Sequence, residues 1–186
     1  MSERFSPLLD NNLEGLRSAA LAGPVLDLAC GSGRNGLHLI NNVIPVVFAD
    51  VNREALASVS KALESEPYRQ HKSLATLHEI DLETPNSLPL EQELYGAIIV
   101  FRYLHRPLME NIKAAVKPGG LVIYETFTLE QRQFGRPNNP DFLLRPKELE
   151  DSFHNWDIYF SYEGILCDKQ GQAQSAIAQI VASKPH

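Results

Sequence analysis

Cysteine is nearly absent. Two in 186 residues, Cys30 and Cys167, exclude a disulfide framework and a cysteine-ligated zinc site. Cys30 has no histidine near it in sequence, so both thiols are read as reduced and Cys30 is not read as a nucleophile. Histidine is sparse as well: His38, His71, His78, His154 and His186 show no metal-ligand spacing, and no metal is expected. Long apolar runs are missing. Nothing approaches the ~20 residues that span a bilayer, and the opening MSERFSPLLDNN carries no signal-peptide block, so a cytoplasmic protein without a membrane partner is expected. Net positive charge is also lacking; the formal charge of −6 argues against a nucleic-acid partner. Repeats, low-complexity tracts and long linkers are absent, so a single domain over residues 1–186 is expected. With 44% hydrophobic content it can bury a sizeable core.

What the chain does carry is concentrated in VLDLACGSGRNG, Val25 to Gly36. Val25, Leu26, Leu28 and Ala29 read as a short strand covered on both faces, interrupted by Asp27. A carboxylate there is costly without polar partners, which places it at the strand's carboxyl end, facing a ligand. Gly31 and Gly33 let the backbone turn and approach that ligand closely, at the start of a helix. Gly31, Gly33 and Gly36 spell G-x-G-x-x-G, the loop of a dinucleotide fold. Asp27, however, would repel a pyrophosphate at that helix start, whereas a cofactor with an ammonium and a sulfonium, S-adenosylmethionine, would be attracted to it.

The rest alternates helices and strands. Ser6-Pro7 opens a helix carrying Leu8, Leu9, Leu13 and Leu16, ended by Gly23-Pro24. After the glycine loop a helix runs to about Asn42, followed by strands over Val43–Ala49, Leu74–Ile80, Tyr95–Phe101 and Leu121–Thr126. Helices are expected over Arg53–Leu63, capped by Asn52, over Pro107–Val116, and near Pro146–Phe153, with a turn at Lys117–Gly120. Two last strands, about Trp156–Cys167 and Gln172–Ala182, flank a hairpin turn at Asp168–Gly171. The expected fold is α/β: a Rossmann-like, doubly wound, mostly parallel seven-stranded sheet with a C-terminal antiparallel hairpin. Ligands sit beyond the carboxyl ends of such strands, where Asp27, Asp50 and Asp81 fall in succession. Asp50 lies 17 residues after Gly33, near the offset at which an acid meets ribose hydroxyls.

With FADVN around Asp50, EIDLE around Asp81 and VKPGGLVIYE, the chain resembles the class I S-adenosylmethionine-dependent methyltransferases over nearly its whole length. ACGSGRN, VFRYLHRPL and YETFT are similar to small bacterial enzymes related to the tellurite-resistance methyltransferases. The resemblance implies that Asp27 lies near the methionine ammonium and that Cys30, Gly31, Ser32 and Gly33 wrap the cofactor. It further implies that Asp50, with Val51 beside it, meets the ribose, that Asp81 accepts from the adenine amino group, that Leu82 packs on the ring and that Phe101 borders the methionine part. Asn35 could hold the cofactor carboxylate; Arg34 either joins it or faces solvent. S-adenosylhomocysteine would be the product.

Between Phe101 and Lys147 eight Lys/Arg stand against four Asp/Glu, a local +4 that leaves −10 for the remainder of the chain. Arg102, Arg106, Glu125 and Thr126 follow the fourth and fifth strands, and Arg132 and Arg136 lie in an irregular stretch long enough to fold over the cleft. These are the candidate substrate-binding residues, and the arginines point to a small anionic acceptor. In-line methyl transfer asks little of side chains; if a base is used, His105 or Tyr103 is the candidate. Two other readings stay open. One is a catalytically silent protein of the same fold that binds the cofactor or a partner. The other is a nicotinamide-dependent oxidoreductase, disfavoured by Asp27 and by the lack of a second catalytic domain.

Overall fold

The computed structural model describes residues 5–85, 89–168 and 170–186. Ser6 caps α1 (Pro7–Asp10), its hydroxyl accepting from the Leu8 N–H. The single helix expected up to Gly23 is broken. Asn12 Nδ2 donates to the Leu8 carbonyl at 2.8 Å while the Asn12 N–H turns to Leu9, so a side chain takes the carbonyl on which the helical ladder would continue. The chain restarts as α2 (Leu13–Ala19). There follow β1 (Val25–Leu28), α3 (Arg34–Asn41), β2 (Val46–Asp50), α4 (Arg53–Leu63), β3 (Ala75–Glu79), β4 (Tyr95–Phe101) and α5 (Met109–Ala115). The chain ends with β5 (Val116–Phe127), α6 (Glu148–Ser152), β6 (Asp157–Cys167) and β7 (Ala173–Ser183).

The strands form one seven-stranded sheet in the order β3-β2-β1-β4-β5-β7-β6. The first five are parallel, and β7 inserts antiparallel between β5 and β6. Chain order reverses between β1 and β4, which opens a crevice at their carboxyl ends. One face of the sheet buries Leu9, Leu16, Leu39, Phe48 and Val59, from α1 to α4 and β2; the other buries Leu108, Ile112, Leu149, Phe153 and Trp156. That two-sided cover explains why β1 and β4 are buried at every position.

Two strands differ from expectation. Val43 adopts φ 61°, and Pro45 has no N–H to give a ladder, so β2 starts only at Val46. The Lys117–Gly120 turn lies inside an extended β5, with Gly119 at φ 73° and a register shift against β4 between Tyr95 and Ala97. The expected turn at Asp168–Gly171 includes Lys169, which lies outside the described residues; around it Asp168 Oδ1 accepts from the N–H groups of Gln170 and Gln172, each at 2.9 Å.

Candidate active site

The crevice starts where β1 stops. Gly31 (φ 53°) and Gly33 (φ 75°) take left-handed conformations, and Gly33 begins α3 with no side chain of its own to cap the first turn. Gly36 is glycine for a different reason: a Cβ there would strike the Phe48 ring and approach Asp27 Oδ2 to 2.7 Å. Its N–H donates to that oxygen at 2.8 Å. Asp27 is only 2% exposed, and burial lifts its pKa to about 7 despite the opposing pull of the Gly36 N–H and of Arg34. A buried carboxylate so incompletely compensated fits a cationic group of a ligand. Cys30 Sγ lies beside it, and burial together with Asp27 and Asp50 raises the thiol pKa, keeping it protonated.

Asp27, Ala29, Cys30, Gly31, Ser32, Arg34, Asn35, Phe101 and Arg102 surround one small cleft of about 210 Å³. Through Ala29 it adjoins a second of about 520 Å³, lined by Asp50, Val51, Asp81, Leu82 and Tyr103 among others. Asp50 pins the glycine loop to β2: Oδ2 accepts from the Gly31 N–H and Oδ1 from the Asn52 N–H, both at 2.8 Å. Val51 is left 61% exposed at this cleft, opposite buried Leu82. Apolar walls with carboxylates at the rim are the chemistry that takes a nucleoside, with its flat base and hydroxylated sugar. The residues therefore fit S-adenosylmethionine on two counts, the uncompensated Asp27 and the apolar slot at Val51.

Arg102 (φ 58°) stands at the junction of three clefts. Besides the one at Asp27, these are a pocket of about 430 Å³ with Tyr103, Phe127, Arg136 and Phe142, and a groove of about 790 Å³ with Ser6, Glu125 and Gln179. Its guanidinium lies over the Phe127 ring, 5.8 Å from the centroid.

Several expected site residues are held elsewhere. The Arg106 guanidinium is a structural clamp: Nε and Nη2 donate to Glu148 at 2.6 and 2.9 Å, and further bonds reach the carbonyls of Asp141 and Leu143. Thr126 is buried on the strand face of Val122 and Tyr124, away from Glu125, because side chains alternate along β5. His105 and Arg132 line none of the four clefts. Tyr103 does line two, but burial, then Glu83, Asp81 and Asp50, raise its pKa, so it is a poor base. Among the described residues no three or more His, Cys, Asp or Glu side chains are grouped so as to hold a metal ion. No helix among them is long and apolar enough to cross a membrane.

The structure also recruits residues that sequence reasoning left aside. The Ser6 N–H donates to Asn35 Oδ1 and its hydroxyl to Glu125 Oε2, both at 3.0 Å, tying α1 across the crevice. Phe5 stacks on His38 with centroids 3.5 Å apart, and His38 Nε2 lies 2.8 Å from Asp10. Local sequence marks Ser6 only as a helix cap; partners 29 and 119 residues away leave no local trace.

A family model described as a methyltransferase domain matches residues 25–120. Among solved structures, TehB from Haemophilus influenzae superposes with a TM-score of 0.68 at 22% identity, covering 92% of this chain and 61% of its own. The chain thus spans about three fifths of that protein. A Methanosarcina mazei protein described as a SAM-dependent methyltransferase gives 0.70 at 17% identity, over 98% of this chain and 99% of its own. The glycopeptide N-methyltransferase MtfA, solved with S-adenosyl-L-homocysteine, gives 0.63 at 14% identity, over 100% and 89%. No curated protein matches in sequence.

Proposed function

The chain belongs to the methyltransferase-domain family, whose methyl donor is S-adenosylmethionine, and from that premise we propose that it methylates a small acceptor in the clefts that meet at Arg102. When bound, S-adenosylmethionine supplies a methyl group on a positively charged sulfur, open to in-line displacement. The buried Asp27 carboxylate carries this reading. It faces the donor's ammonium, while the Gly31–Gly33 backbone wraps its methionine part beside Phe101. Arg34 and the amide nitrogen of Asn35, whose oxygen Ser6 already occupies, serve the donor's carboxylate. Asp50 takes the ribose hydroxyls, Asp81 the adenine amino group, and Val51 and Leu82 flank the ring.

Arg102 and Arg136 line the acceptor side and favour an anionic group there. With His105 outside the clefts and Tyr103 held protonated, the contribution of the chain is alignment and exclusion of water, which can supply ~7 to 11 kcal/mol.

Thermal-shift measurement with S-adenosylhomocysteine and with NADH tests the donor: the first should raise Tm and the second should not. Failure of S-adenosylhomocysteine to bind overturns the reading. Screening small acids for S-adenosylhomocysteine release then separates an enzyme from a silent cofactor-binding protein, and Arg102→Met with Arg136→Met should raise KM for the acceptor found.

A further inference from the structure

The donor's sulfur is bonded to its methionine chain, to its ribose and to the methyl group, so the methyl leaves from where the cleft of about 210 Å³ at Asp27 adjoins the nucleoside cleft of about 520 Å³. Of the two remaining clefts, the pocket of about 430 Å³ shares residues with both: Arg102 with the first, Glu83 and Tyr103 with the second. The groove of about 790 Å³ shares residues with the first alone.

The outer wall of the 430 Å³ pocket comes from the irregular segment between β5 and α6, and that segment is tied down at three places. Leu144 bridges to Thr128 at its base, its N–H donating to the Phe127 carbonyl at 2.9 Å. Gln131, only 4% exposed, accepts through Oε1 from the Ala176 N–H of β7 at 2.9 Å and donates through Nε2 to the Arg136 carbonyl at 3.3 Å. The Arg106 clamp holds the carbonyls of Asp141 and Leu143, both at 2.8 Å, on either side of Phe142. With the backbone fixed, the two side chains it brings to the pocket stay exposed: Phe142 at 49%, and Arg136, whose guanidinium makes no hydrogen bond or ion pair among the described residues. An exposed aromatic ring beside an unpaired cation is a surface suited to a ligand. Leu104 and Pro137 complete an apolar lining. Glu83, the one acid among the described lining residues, also lines the nucleoside cleft, whereas Arg136 lines neither donor cleft. An anionic group is therefore drawn to the Arg136 end, away from the donor.

We propose that this pocket is the acceptor site and that it takes an aromatic carboxylate, the carboxylate on Arg136 and the ring against Phe142, Leu104 and Pro137. The pairing needs nothing of Arg102, which is already engaged over the Phe127 ring. Gln131 and Arg106 are positioning residues, holding the backbone that presents Arg136 and Phe142. A volume of about 430 Å³ lies at the small end of ligand cavities, which run from about 300 to 1,000 Å³, and suits a compact ring acid. The proposal rests on the methyltransferase reading and narrows its acceptor from any small anion to an aromatic acid.

Calorimetry tests it with protein saturated by S-adenosylhomocysteine and three probes: 3-phenylpropionate, its uncharged amide 3-phenylpropanamide, and butyrate, which lacks the ring. Saturation is verified first, and its failure strikes the donor reading rather than the pocket. 3-Phenylpropionate should bind about fivefold or more tightly than either analogue, since the amide leaves Arg136 unanswered and butyrate leaves Phe142 uncovered. Arg136→Gln should weaken 3-phenylpropionate by about fivefold or more and leave the amide and S-adenosylhomocysteine unchanged. Phe142→Ser should weaken 3-phenylpropionate and the amide together, again leaving S-adenosylhomocysteine unchanged. Both side chains are exposed, so neither change removes a core residue. The proposal is overturned if 3-phenylpropionate does not bind the saturated protein, if the amide or butyrate binds as tightly, or if either variant leaves 3-phenylpropionate unaffected.

Discussion

Acidifying the solution should weaken S-adenosylhomocysteine binding through one group, Asp27. Its pKa is raised from 3.8 to about 7 because the carboxylate is buried with only the Gly36 N–H and the Arg34 charge to offset that burial. About nine molecules in ten carry the ionised form at about pH 8, and about one in ten at about pH 6. The ligand's ammonium stays protonated over this range and selects the ionised form. Apparent Kd should therefore rise about tenfold between those two conditions, a change of ~1.4 kcal/mol. Binding near about pH 6 should release about one proton, measurable as a dependence of calorimetric enthalpy on the buffer's ionisation enthalpy. The unliganded protein should respond in the opposite sense. Because the folded pKa lies above 3.8, the Asp27 contribution to stability is fully present below about pH 4 and is lost as pH rises through about 7. Asp27→Asn should bind weakly and show neither pH effect. Equal affinity of the wild type at both pH values, or a slope that persists in Asp27→Asn, refutes the reasoning.

Arg106→Met should lower unfolding free energy in urea by ~1 to 3 kcal/mol, since it strands Glu148 and two carbonyls, while leaving S-adenosylhomocysteine affinity unchanged. The Glu148 pKa is held below its usual 4.5, chiefly by the Arg106 hydrogen bond, so the stability this pair adds is present above that pH and falls away on acidification; Glu148→Gln should flatten that acid limb. Gly36→Ala should destabilise by ~1 to 3 kcal/mol, because a methyl group there meets the Phe48 ring and Asp27 together, and thermal melts would show it.

The glycine loop was legible because its causes are local. Gly31 and Gly33 need positive φ, and Asp27 reveals itself as a charge inside an apolar strand. Asp50 and Asp81 were legible because a parallel sheet brings successive strand ends to one edge. Helix breaks were harder. The Asn12 side chain competes with its own backbone for the Leu8 carbonyl, a contest that periodicity does not register. Arg106 and Arg102 look alike in sequence, both basic and both just past β4. Only the return of α6 brings Glu148 against Arg106 and makes it a clamp, while Arg102 stays at the meeting of the clefts.

Sequence by itself determined the α/β order of elements, the glycine turn and the placing of Asp27, Asp50 and Asp81 along one edge of the sheet, because periodicity, backbone strain and strand-end position all act within a few residues. Tertiary structure alone decided which charges of the basic segment line a cleft. It also decided that Ser6 and Gln179, from opposite ends of the chain, grip Glu125 beside them. Those contacts join residues whose separation along the chain carries no local propensity, and they exist only once β7 has inserted between β5 and β6.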